Sequence, residues 1–409
     1  MKAIVLKCQY VSQRSLLLLS AIALSFFCAP HARSQQKRIT SRYQVAPSPQ
    51  WTQLFTRQTG WTGGDGIYSI RLPKDFNNPY INPEKDNILF LFSDSVIDTL
   101  INNQPSENGW TMIHNAVAVL NGTTPKPDAL HFHWPESEDG KPASVFIPAG
   151  QSAQPGKPKD DSIYYWLGDG IALSDNNKNA GHQKAALAIF AYKMINYSPE
   201  PFGFKDIANE LLLTDSHFEI LRRIEIPMLA KGNFGAGIYK DTINNPSDHT
   251  PYIYIYGVRG SHKGLVIART TEKELTAPEK WQYYSDAGWS TDMHRSIDVT
   301  AHVSNELSVT RTPDGQYALI FQLDGIQPYI GMKLAPTPYG PFGPTDTLWH
   351  CEEPDATNKL LVYNAKAHPS ISPSGTLLIS YNVNSLAFIK TLKEEPTFYR
   401  PRFLLLKWK

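Results

Sequence analysis

Two aspartates stand where the backbone can present a carboxylate to a ligand. Asp65 lies in Gly63-Gly64-Asp65-Gly66, where no neighbouring side chain crowds an approach, and Asp94 lies between two hydroxyls in Ser93-Asp94-Ser95. Two carboxylates across a cleft can cleave an acetal: one, kept protonated, gives its proton to the leaving oxygen while the other attacks or activates water. Asp94, with donors beside it, suits the ionised role, and Asp65 suits the side from which a substrate approaches. Glycine-flanked aspartates also cap ordinary turns, so Asp65 alone is equally well explained as turn chemistry, and Asp94 between two serines also has a turn reading. The pair acquires meaning only if the fold brings the two together.

The neighbouring elements do so. Tyr68, Ile70 and Leu72 alternate with Ser69 and Arg71, the period of a strand, and residues 88–92 are the continuous apolar run of a strand covered on both faces. In an antiparallel hairpin the start of the first strand and the end of the second share an edge, so Asp65 and Asp94 converge. Strands at 114–120 and 130–134 complete one sheet, and 122–161 reads as an elaborated loop with a strand-like stretch at 144–147.

The pattern then restarts. Gly168-Asp169-Gly170 repeats the glycine-flanked aspartate before an apolar strand, followed by strands at 186–194 and 218–226 and a short helical turn over 206–213. Third, fourth and fifth units open near 235, 306 and 366. The last unit is one strand short, which a strand at 51–55 would supply. The expected fold is therefore all-β, a five-bladed β-propeller closed by an N-terminal strand, with a pair of β-sandwiches as the competing architecture. The domains follow as a signal over 1–34, a flexible lead-in over 35–49 and one propeller over 50–409.

Applying the hairpin argument to each unit yields a ring of side chains at one edge. Asp65 and Asp94 come from the first unit, Asp169 and Lys193 from the second, and Arg259 from the third. Glu306 and Gln322 come from the fourth, and Lys366, His368 and Asn382 from the fifth. Asp65 and Asp94 are the catalytic candidates; the other eight are candidates for orienting a substrate or tuning the pair. Glu306 reads equally as a buried ion-pair partner of a residue such as Arg311, and His368 before Pro369 equally as a hydrogen-bonded structural histidine or an axial metal ligand.

His131 and His133 share a strand face but lack a third ligand for zinc. No metal site and no cofactor is expected, and an axial calcium ion has no ligand set in support. Cys-x-x-Cys, nucleotide-binding glycine loops and Gly-x-Ser-x-Gly are missing from the sequence.

A formal net charge of +1 over 409 residues argues against nucleic acid as a partner. Basic Lys2, Lys7 and Arg14, an apolar run over 16–27 and Ala32-Arg33-Ser34 form a secretory leader, so the mature chain is expected to be secreted or periplasmic with no membrane span. Cys8 and Cys28 lie in that leader, leaving Cys351 as a buried small residue rather than a nucleophile. A monomer is expected.

Trp61-Thr62-Gly63-Gly64-Asp65-Gly66-Ile67-Tyr68-Ser69-Ile70 with Leu91-Phe92-Ser93-Asp94-Ser95 resembles the opening of secreted bacterial five-bladed propellers of the domain of unknown function 4185 type and its relatives. Asn364-Ala365-Lys366-Ala367-His368-Pro369 with Leu378-Ile379-Ser380-Tyr381-Asn382 resembles their last blade, and Tyr339-Gly340-Pro341-Phe342 a turn of five-bladed glycosidases. The resemblance implies a glycoside-hydrolase-like propeller, some relatives being endo-D-arabinanases, that binds an oligosaccharide or polysaccharide and uses Asp65 and Asp94. The longer 73–86 connection, the extra 122–161 tract and Ser93 in place of glycine depart from the pattern. The alternatives are a glycan-binding propeller without catalysis and a scaffold.

Overall fold

The computed structural model describes residues 42–106, 109–150, 163–174, 185–198, 202–243, 251–354 and 359–409. The expected leader lies outside the described residues.

Among the described residues the strands form six antiparallel sheets, five of which follow one another along the chain. The first holds Tyr68–Leu72, Asn87–Phe92, Ala116–Asn121 and Leu130–His133. The second holds Ile163–Ala172, Leu187–Asn196, Phe204–Thr214 and Ile220–Ile226. The third opens on Gly232–Asp241, the fourth on Leu307–Arg311 and the fifth on Leu360–Ala367. Each opening strand packs against the opening strand of the next sheet.

Tyr43–Pro47 pairs with Arg402–Trp408 and gives the fifth sheet its fourth strand. This corrects two expectations. The completing strand lies inside the tract read as a lead-in, and the segment at 51–55 is instead the helix Pro49–Leu54. Pro49 at its start suits a helix, and Trp51, Leu54 and Phe55 have the spacing of one helical face. The turn expected over 206–213 is strand Phe204–Thr214, whose outer half alternates between part-buried and exposed. The stretch at 144–147 is not a strand; Phe146 is fully buried and its backbone is bonded by the Asn115 side chain.

Five apolar cores lie between successive sheets, and burying each Leu, Ile, Val or Phe in them contributes roughly 1.5–3 kcal/mol. Ile70 and Leu89 meet Leu167 and Ile189 between sheets one and two. Phe190 and Leu211 meet Phe234 and Ile255 between two and three, and Tyr256 and Ile267 meet Leu319 and Phe321 between three and four. Ile320 and Met332 meet Val362 and Ile379 between four and five. The remaining core joins sheet five to sheet one, where Leu378 and Phe403 meet Phe90 and Phe92 beneath the helical Trp51 and Leu54. Cys351 is buried, and burial pushes its thiol up to about 12, which keeps it protonated and inert. No helix among the described residues is long and apolar enough to cross a membrane.

Candidate active site

A sixth sheet, which sequence periodicity did not reveal, builds the site. It holds Thr59–Gly64, Ser95–Thr99 and Thr111–Ile113. Residues 59–72 and 87–99 therefore run as one long antiparallel pair through two sheets, with Gly64 opposite Ser95 in one and Tyr68 opposite Leu91 in the other. Asp65 and Asp94 occupy the joint. The Asp65 N–H donates to the Asp94 carbonyl at 3.1 Å, and the Ser93 N–H donates to the Asp65 carbonyl at 2.9 Å. Gly66 makes this possible: its φ is +84°, and a Cβ there would lie 2.7 Å from the Ser93 nitrogen.

The two carboxylates meet different surroundings. The Tyr363 O–H donates to Asp65 Oδ2, and the Tyr399 O–H donates beside it to the Asp94 backbone carbonyl at 3.4 Å. Burial first, and the adjacent charge of Asp94 second, push Asp65 up to about 8 against the Tyr363 donor. Asp94 is likewise an acceptor, but from ring N–H groups rather than a phenol. Its Oδ1 lies 3.0 Å from Trp166 Nε1 and 3.0 Å from His114 Nδ1, and both donate to it. The His114 ring lies flat on Tyr164, with centroids 3.7 Å apart.

Beneath the pair lies a charged cluster. Lys366 is 1% exposed; its Nζ donates to the Gly66 carbonyl at 2.7 Å, faces Glu306 Oε2 at 2.5 Å and sits over the Tyr68 ring at 4.6 Å. The Lys366–Glu306 contact is one of charge rather than a well-aligned hydrogen bond, since Oε2 finds no aligned donor. Asn364 Nδ2 donates to the other Glu306 oxygen at 2.6 Å. Burial raises Glu306 above the usual carboxylate range while Lys366 pulls it back.

Asp169 accepts backbone N–H bonds from Gly170 and Ile238, both at 2.8 Å, yet burial pushes it up to about 7. Glu306 lies close enough to raise both Asp65 and Asp169. Ladder slips aim two of these residues: the opening strands of sheets two and five bulge at 168–169 and 364–365, where Asp169 and Asn364 stand.

Not every residue of the expected ring reaches the pair. Lys193 faces Glu210 at 3.8 Å. Arg259 is held by Asp298 Oδ1 at 2.6 Å and by Ser296. Gln322 is fully buried, its Nε2 donating to the Gln327 carbonyl at 2.5 Å. Asn382 is fully buried, its Nδ2 reaching the Gly64 carbonyl at 3.5 Å. His368 is 1% exposed with Nδ1 bonded to Ser69 Oγ and Nε2 to Ser380 Oγ, so both ring nitrogens are occupied by the protein. Burial and nearby Lys366 lower it to about 3, which keeps it neutral.

Sequence reasoning missed His114, Trp166, Tyr363 and Tyr399. Trp166 had a signal, standing three residues before Asp169 in the repeat; Tyr363 and Tyr399 reach the pair from about 300 residues away with no local signal. Among the described residues no group of three or more His, Cys, Asp or Glu side chains is placed to hold a metal ion.

The family model described as "Domain of unknown function (DUF5005)" matches residues 48–408, and the chain belongs to that family. No curated protein matches the sequence. A crystal structure of a provisionally named hydrolase from Bacteroides ovatus is similar at a TM-score of 0.66 and 22% identity, over 88% of this chain and 90% of that one, and shows a shared fold. The catalytic domain of a GH62 α-L-arabinofuranosidase from Coprinopsis cinerea gives a TM-score of 0.42 at 9% identity, over 90% of this chain and 97% of that one.

Proposed function

We propose that this member of the DUF5005 family is a secreted or periplasmic glycoside hydrolase that cleaves a polysaccharide, with Asp65 as the proton donor and Asp94 as the ionised partner. The observation that carries the reading is the contrast between two adjoining carboxyls. Burial beside Asp94 pushes Asp65 up to about 8, so it holds a proton at neutral pH, whereas Asp94 Oδ1 accepts two N–H bonds. Unequal surroundings of two adjoining carboxyls are how an acid is set apart from its partner.

In the reaction the Asp65 proton passes to the glycosidic oxygen as its bond to the anomeric carbon breaks. Asp94 faces the positive charge that develops there and acts as nucleophile or as the base that activates water. Water finally adds, its hydroxyl to the anomeric carbon and its remaining proton back to the carboxyl pair. Tyr363 holds the Asp65 carboxyl in place, Trp166 and His114 hold that of Asp94, and Tyr399 braces the Asp94 backbone carbonyl.

Two finer statements belong to the same proposal. The five successive sheets, with a core also joining the fifth to the first, are read as the blades of a five-bladed propeller. The resemblance of the motifs around Asp65 and Lys366 to those of 4185-type propellers makes a furanosidic, arabinan-like polymer the first substrate class to try.

The test is reducing-sugar release from a panel of plant, microbial and mycobacterial glycans by wild type, Asp65→Asn and Asp94→Asn. Release lost in both variants with folding intact supports the hydrolase. Binding without release, weakened in both variants, replaces it with a glycan-binding protein.

A further inference from the structure

We infer that an aromatic ledge on the second sheet, running outward from Asp94 through Trp166, Phe204 and Phe202, holds the sugar residues of a polysaccharide chain that lie beyond the scissile one. The inference rests on the glycan reading above and extends it from the carboxyl pair to a track.

The ledge is continuous with the pair. Trp166 Nε1 donates to Asp94 Oδ1 at 3.0 Å, so the indole is anchored at the carboxylate end. Its ring meets Phe204 edge-on, with centroids 4.7 Å apart, and Phe204 meets Phe202 in the same manner at 6.2 Å. Phe202 is 57% exposed. Trp166, Phe202 and Phe204 belong to none of the five cores, so packing of the sheets does not account for them. A run of aromatic rings without a core to fill, beginning at a polar centre, is the mark of a binding surface.

The chemistry of the ledge selects its occupant. Asn196 stands directly opposite Phe204 in the strand register, and its Oδ1 accepts the Tyr164 hydroxyl at 2.9 Å. An exposed amide thus borders an aromatic face. A sugar ring has an apolar C–H face to lay on an aromatic ring and a hydroxyl edge to meet an amide. A purely apolar ligand would leave that amide unmatched.

The test is native electrophoresis through gels containing, in turn, arabinan, xylan, galactan, mannan and mixed-linkage β-glucan. Wild type, Asp94→Asn, Phe202→Ala and the double variant Phe202→Ala/Phe204→Ala are run together, with glycan-free gels as the folding control. The expected result is that one glycan retards wild type and Asp94→Asn, that Phe202→Ala weakens the apparent Kd about 3-fold and that the double variant weakens it 10-fold or more. Because Phe202 is more than half exposed, its single variant keeps the test interpretable if the double variant misfolds. Equal retardation of wild type and the Phe variants, or no retardation of wild type by any of the five glycans, overturns the ledge. Reducing ends measured in parallel separate the two claims: ledge-dependent binding without cleavage removes the hydrolase alone, and cleavage with ledge-independent binding removes the ledge alone.

Discussion

Asp65 and Asp94 are joined through their backbones and divided by their side chains. The Asp65 N–H donates to the Asp94 carbonyl at 3.1 Å, while the Asp65 carboxyl takes the Tyr363 O–H and Asp94 Oδ1 takes the Trp166 and His114 N–H groups. A shared backbone joint holds the pair together, and burial beside Asp94 raises Asp65 against the pull of its own hydrogen-bond donor.

Removing Tyr363's hydroxyl should move the alkaline limb of activity. With Asp65 as the proposed proton donor its acid form is the active one, so hydrolysis is expected to fall as pH rises through about 8. Tyr363 donates to the carboxylate and so favours ionisation; Tyr363→Phe removes that donor and raises Asp65 further, by about one to two pH units for a charge-assisted bond worth roughly 1.5–3 kcal/mol. A pH–rate profile of kcat/KM checks it, and a limb that moves down or stays put contradicts the assignment.

Asp65 should cost stability when it ionises. Its folded value lies above the unfolded value of about 3.9, so its contribution is full below that pH and is lost as pH rises through about 8. Asp65→Asn removes the titration. The variant is expected to be more stable than wild type at pH 9 by roughly 2 kcal/mol, after discounting for solvent screening of a part-exposed carboxyl, and no more stable than wild type at pH 4. Urea unfolding at the two pH values measures the difference; a gap of the same size at both would contradict it.

The Lys366–Glu306 pair should behave as a unit. Lys366→Met leaves the Glu306 charge buried with Asn364 as its remaining donor and is expected to cost about 3–5 kcal/mol. Adding Glu306→Gln should recover a large part of that loss, so the double-mutant cycle returns a coupling of about 2 kcal/mol. Additive losses would show that the two side chains act independently.

His368 should prove structural. His368→Ala removes bonds to Ser69 and Ser380 and opens a cavity, for a loss of about 3–4 kcal/mol with KM unchanged. Its folded value is lowered to about 3, so its stabilising contribution is present above about 6.5 and is lost as pH falls through 3. Wild type should therefore lose stability on acidification through that window more steeply than the variant. A stable variant with a raised KM would return His368 to the substrate site.

How much of this was legible depends on whether a feature is local. Convergence of Asp65 and Asp94 followed from strand periodicity and antiparallel pairing, and four-stranded units appeared wherever apolar runs were uninterrupted. The sheet containing Thr59–Gly64 stayed hidden because Trp61-Thr62-Gly63-Gly64 does not alternate. Trp51 and Leu54 looked like strand residues because a short apolar cluster suits either period, and Pro49 was the overlooked cue. Ring membership failed for Arg259 because a position at a sheet edge does not say which way the side chain turns; Asp298, from a later loop, claims it. Tyr363, which bonds the Asp65 carboxyl, and Tyr399, which bonds the Asp94 backbone carbonyl, are brought in by tertiary folding alone.

The most direct measurement is the protonation of Asp65 itself, by difference infrared spectroscopy of wild type minus Asp65→Asn across pH 4 to 10. The account predicts a protonated carboxyl band that is present in wild type at pH 7, disappears as pH rises through about 8 and has no counterpart in the variant. A carboxylate already ionised at pH 7 and titrating near 4 would contradict it, and with it the assignment of Asp65 as the proton donor.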